Sequence, residues 1–235
     1  MGEKIIQNVV KDAIKEGVWD WYKPAVKKPS KNAGNANYND IAHKGVKKGD
    51  ILVVHPDDRT TDFLTPSYQG MGATVVTKPR EMFNLMETMR NHNRIIMMGH
   101  GSPSGIFMPG IIGAEITKDG KLETYHEYSI NASFVPVLKT KPIVAVWCNA
   151  DQFVLRHDLH GFYTGMVISE LQEANYCNVH GCSQKQLEES DDLFTLALKE
   201  AMKIQSPDSV RLFKEMYHNP NNPIMVYNRQ RIYYR

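Results

Sequence analysis

Two stretches, Arg94-Ile95-Ile96-Met97-Met98-Gly99-His100-Gly101 and Pro142-Ile143-Val144-Ala145-Val146-Trp147-Cys148-Asn149, decide how this chain folds. Each is an unbroken apolar run bounded by Gly or Pro. Runs of this length suit strands of a parallel sheet covered on both faces, where no position is left to face water. In an open α/β sheet, functional groups gather at the carboxyl ends of the strands. His100 and Cys148 stand at those ends. If the two strands are neighbours, an imidazole and a thiol share one crevice, which is what a Cys–His nucleophilic site needs.

Working outward, the periodicity predicts a regular domain over residues 50–235. Ile51–Val54 and Ala73–Val76 read as strands. Pro79 and Arg80 lead into a helix with Met82, Leu85, Met86 and Met89 at helical spacing, a stripe that suits core packing. Asp119-Gly120 between Ile116 and Leu122 is a hairpin signal. A helix within 129–140 is shortened or bent by Pro136. Residues 149–163 read as an irregular loop. Thr164 is placed to cap a helix to about Ala174, and Tyr176–His180 reads as a fifth strand. Leu187–Ile204 is an amphipathic helix with Leu193, Leu196, Ala197, Ala201 and Ile204 on one side. Ser206-Pro207 opens a further helix, and Pro223–Tyr234 reads as a last strand. This alternation predicts an α/β fold with a largely parallel sheet and right-handed crossovers. Residues 1–49 read as an N-terminal extension: a helix over 4–22, with Ile5, Val9, Ile14 and Val18 near one face, then a loop rich in Lys, Asn, Gly and Pro.

Composition narrows the function classes. The chain has 235 residues, a hydrophobic content of 42% and a net charge of +2, so nothing global asks for nucleic acid or an anionic membrane. Its three cysteines do not suggest a disulfide framework, and a reducing, cytoplasmic setting is expected. The first residues lack the apolar core of a signal peptide, and no apolar run approaches the roughly 18 residues of a membrane span. Ile6 breaks the myristoylation pattern that Gly2 would begin. Neither His157-Asp158-Leu159-His160 nor Cys177, His180 and Cys182 has the spacing of a zinc site, and no metal is expected. Gly99-His100-Gly101 lacks the third glycine of a phosphate-binding loop.

An apolar strand ending in His-Gly, followed by another ending in Cys, resembles the caspase–clostripain–gingipain–legumain superfamily of cysteine peptidases. The spacing of 48 positions from His100 to Cys148 matches the roughly 50 that separate the pair in caspases. Taken singly, a Cys ending a core strand is ordinarily a small buried hydrophobe, and a His-Gly pair an ordinary turn. Only together do they form the pattern. The resemblance implies a caspase-like three-layer sandwich over residues 50–235, its mostly parallel central sheet flanked by helices. It further implies Cys148 as nucleophile, His100 as its proton-handling partner, and the backbone amides of Gly101 and Cys148 as oxyanion donors. No cofactor is implied.

The residues around the thiol depart from that pattern. Caspases carry Gln-Ala before the Cys and clostripain-like enzymes Asp-Ala. Here Val146-Trp147 precedes it and Asn149-Ala150-Asp151 follows. The bulk of Trp147 would narrow the substrate pocket. Arg59 falls in the loop from which an Arg helps caspases bind acidic substrates. Asp57, Asp58 and Asp151 would instead receive Lys or Arg, as in clostripain-like enzymes. The expected activity is a cysteine peptidase or related thiol hydrolase acting on a peptide or protein. The alternatives are an inactive caspase-like binding domain and a hydrolase or transferase for a small molecule.

Overall fold

The computed structural model describes residues 50–78, 81, 84–116 and 122–235. The extension expected over 1–49, Pro79, Arg80, Met82 and the Asp119-Gly120 turn lie outside the described residues. A six-stranded sheet is built from β1 (Ile51–Val54), β2 (Thr74–Val76), β3 (Arg94–Met98), β7 (Ile143–Val146), β8 (Gly161–Thr164) and β9 (Ile232–Tyr234). Its order is β2-β1-β3-β7-β8-β9. Neighbours run parallel except β8 and β9, which are antiparallel.

The apolar runs explain why both faces are covered. Side chains alternate across a strand, so one run feeds two cores. Leu52, Val54, Ile95, Met97, Ile143 and Ala145 pack on one side with α2 (Leu85–Arg90), α3 (Val135–Leu138) and α4 (Ala150–Arg156). Val53, Ile96, Met98, Val144 and Val146 pack on the other with α1 (Thr65–Tyr68), α6 (Gln184–Ala201), α7 (Asp208–Met216) and α8 (Pro223–Arg229). The chain is thus α/β, a mostly parallel sheet between two helical layers. A charge enters the core at the start of β3: Arg94 is buried there, and its Nη1 donates to the Met202 carbonyl at the end of α6, at 2.5 Å.

Between β3 and β7 the chain makes a separate antiparallel sheet of β4 (Gly101–Ser102), β5 (Gly105–Ile116) and β6 (Leu122–Ile130). Ile116 pairs with Leu122, the arms of the expected hairpin. Within 129–140 only Val135–Leu138, α3, is α-helical, with Pro136 in its first turn; β6 runs to Ile130, and a 3-10 turn over Ala132–Phe134 precedes the helix.

Several local expectations are corrected. The loop expected over 149–163 contains α4 and β8, and the helix buries Ala150, Phe153 and Val154 on one face. Thr164 does not cap a helix: it ends β8, and its hydroxyl donates to the Trp147 carbonyl at 3.1 Å. The helix begins instead at α5 (Leu171–Tyr176), where Glu173 Oε2 accepts the Glu170 N–H at 3.1 Å. Tyr176–His180 is not a strand: Tyr176 closes α5, and Asn178 turns the chain at φ 58°. Pro223–Tyr234 is mostly helix. Asn222 Oδ1 accepts the Ile224 and Met225 N–H groups, and Pro223 occupies the first helical position, where its missing donor is harmless. Leu196, expected on the packed side of α6, is exposed; Leu187, Phe194, Ala197, Leu198 and Ala201 form the buried face.

Candidate active site

The register of β3 and β7 sets the site. Met98 pairs with Val146, and the Gly99 N–H donates to the Val146 carbonyl at 3.1 Å. His100 and Cys148 therefore each stand two residues past the last paired position, on neighbouring strands. Gly99 leaves β3 with φ 139°, a conformation that glycine adopts freely. Asn149 follows Cys148 with φ 65° and starts α4, so the thiol sits at a strand–turn–helix corner. His100 and Cys148 line one cleft, together with Thr61, Val167, Ser169 and Asp191.

Part of Cys148 faces this cleft, but its sulfur lies in dense packing. Sγ contacts the Val167 carbonyl at 3.6 Å and Glu173 Oε1 at 3.8 Å. Burial, and next the Glu173 carboxylate, push the thiol far above its ordinary value. In this arrangement the sulfur is protonated at neutral pH. Glu173 is itself buried, which raises its carboxyl, while its Oε2 is held by the Ser169 and Glu170 N–H groups. Asp191 is pushed up to about 8, chiefly by burial and then by Glu173.

His100 meets the loop that follows β1. Its Nε2 lies 2.5 Å from Thr60 Oγ1 and 3.9 Å from Asp58 Oδ1. That loop is pinned by the buried His55, whose ring nitrogens reach Tyr68 Oη at 2.9 Å and Thr61 Oγ1 at 3.1 Å. Burial lowers the His55 pKa, which keeps the ring neutral.

The remaining expected residues divide. Gly101 opens β4 against the Trp147 indole, and a Cβ there would lie 2.4 Å from Trp147 Cδ1. Trp147 lines the cleft but is almost wholly buried, with Nε1 donating to the Ser102 carbonyl at 3.0 Å. Arg59 and Asp57 are exposed, and Arg59 acts electrostatically on Glu170. Asp58 is half-buried and engaged with Thr60. Asp151 falls in the first turn of α4, where its buried Oδ1 has no hydrogen-bond partner among the described residues.

Four residues at or near the cleft went unread in the sequence. Thr60 follows Asp58 in an Asp-x-Thr turn, a local signal of side-chain hydrogen bonding. Glu173 occupies the capping-box position of α5. Asp191 interrupts the apolar side of α6 between Leu187 and Phe194, a visible anomaly for a carboxylate. Asn228 bonds both backbone groups of Ile168, at 2.7 and 2.8 Å, but its sequence carries no signal of this.

Among the described residues, no group of three or more His, Cys, Asp or Glu is placed to hold a metal ion, and no helix is long and apolar enough to cross a membrane. Compared with protein-family models and with curated proteins, the chain matches none.

Proposed function

We propose that this cleft is a thiol hydrolase site acting on a peptide or protein, with Cys148 as nucleophile and His100 as proton acceptor and donor. The observation that carries the reading is the β3–β7 register, which brings both strand ends to one cleft at the carboxyl edge of the sheet. The resemblance to caspase-like cysteine peptidases supports the same assignment.

The resting thiol is protonated, so attack begins with transfer of the Sγ proton to His100. The sulfur forms a bond to the substrate carbonyl carbon, and the π pair moves onto oxygen. Backbone N–H groups of Gly101 and Cys148 are the donors assigned to that oxyanion. His100 returns its proton to the amine as the C–N bond breaks, leaving a thioester. Water then attacks, His100 takes its proton, and as the C–S bond breaks to release the carboxylic acid His100 returns that proton to the sulfur, restoring the thiol. No cofactor takes part. The three free cysteines suit a reducing compartment, and we place the protein in the cytoplasm.

One observation favours a second reading, a caspase-like binding domain without activity: the thiol is buried and held by Val167 and Glu173. Iodoacetamide labelling of the native protein across pH, read by mass spectrometry beside His100→Ala, separates the two. Selective alkylation of Cys148 at neutral pH, lost with the imidazole, supports the hydrolase. A thiol inert until the protein unfolds leaves the binding domain.

A further inference from the structure

His100 is met by a chain of hydrogen bonds whose direction can be worked out atom by atom. Asp58 Oδ1 accepts the Thr60 N–H at 2.9 Å and lies 2.7 Å from Thr60 Oγ1. Thr60 Oγ1 lies 2.5 Å from His100 Nε2. A carboxylate only accepts, and a hydroxyl has a single proton to give. If Thr60 gave that proton to His100, its oxygen and Asp58 Oδ1 would face each other at hydrogen-bond distance with no hydrogen between them. The proton therefore goes to Asp58, Thr60 accepts, and Nε2 is the donor.

We infer that Thr60 and Asp58 form a positioning relay that fixes His100 with its proton on Nε2 and makes Nδ1 the basic ring nitrogen. The relay has a rigid mount. The Thr61 N–H and hydroxyl both donate to the Asp58 carbonyl, at 3.1 and 3.2 Å, and His55 holds Thr61 from the other side. The loop is also tied to the end of β2: the His55 N–H donates to the Val76 carbonyl at 3.0 Å, and the Asp57 N–H to that of Thr77 at 2.9 Å. An imidazole held in one tautomer enters proton transfer without first exchanging its proton with solvent. That role rests on the thiol hydrolase reading; the tautomer itself does not.

The test is long-range proton–nitrogen NMR of protein labelled with nitrogen-15 histidine, with His100→Ala used to assign the signal. The neutral His100 ring is expected to carry hydrogen on Nε2. Thr60→Val keeps the shape but removes the hydroxyl, and the tautomers are expected to mix. Thr60→Ser restores the hydroxyl and the single form. A hydrogen on Nδ1 in the native protein overturns the relay, as does an unchanged spectrum in Thr60→Val. Cys148 alkylation is followed in the same samples and is expected to slow by roughly tenfold in Thr60→Val and to recover in Thr60→Ser. A fixed tautomer beside a Cys148 inert in the native protein removes the hydrolase reading and leaves the relay standing.

Discussion

Replacing Asp191 by Asn should stabilise the protein, and more so as the pH rises. The carboxyl is moved from its ordinary 3.8 to about 8, mainly by burial and next by the Glu173 charge. In the folded state it gives up its proton at a higher pH than in the unfolded chain. Between about pH 4 and 8 the folded state thus binds the extra proton, so this residue's contribution falls as pH rises and levels off above 8. At about 1.4 kcal/mol per pH unit the ceiling is about 6 kcal/mol. Asp191 is only half-buried and lines the cleft, so solvent screening narrows both the shift and the pH window above 4 in which it acts, and brings the expected effect to about 2–3 kcal/mol. Asn keeps the shape without a titrating group. Urea unfolding at pH 5, 7 and 9 reads the difference: the gap between variant and native midpoints should widen by about 1 M toward pH 9. Midpoints that move in parallel across pH would refute the assignment of a raised, proton-binding carboxyl.

Three further outcomes follow from the same packing. Glu173→Gln removes the charge beside Cys148, so its alkylation at pH 8 should speed up; an unchanged rate rules out Glu173 as a cause of the raised thiol. Asn228→Ala leaves the Ile168 N–H and carbonyl without their partner and should cost about 2–4 kcal/mol in urea unfolding, with faster hydrogen exchange at Ile168; native-like protection there would contradict it. Gly101→Ala drives a methyl into the Trp147 indole and the Gly105 carbonyl, and should cost about 1–3 kcal/mol with altered tryptophan fluorescence, read by thermal unfolding; a native melting curve would show that the indole gives way freely.

The central sheet was legible because Arg94–Met98 and Pro142–Val146 must bury both faces, and the structure pairs the strands they form. Short elements were not. The apolar face of α4 spans two turns, too few to distinguish its period from that of a loop with scattered hydrophobes. Gly161-Phe162-Tyr163-Thr164 became a strand because the β7 edge was open beside it, a tertiary cause that a local pattern does not express. His100 and Cys148 were legible as strand ends. Their surroundings were not, because Thr60, Glu173 and Asp191 reach the cleft region from three other elements, and nothing local in the chain states that convergence.

The bonds from Asn228 to Ile168 have a consequence in time. A ribosome makes Cys148 eighty residues before the asparagine that fastens the cleft wall beside Val167. The strand that pairs with the Cys148 strand, β3, precedes it in the chain, whereas the anchor of the wall comes after it. The bonds that fasten this wall are therefore among the last to become available as the chain is made.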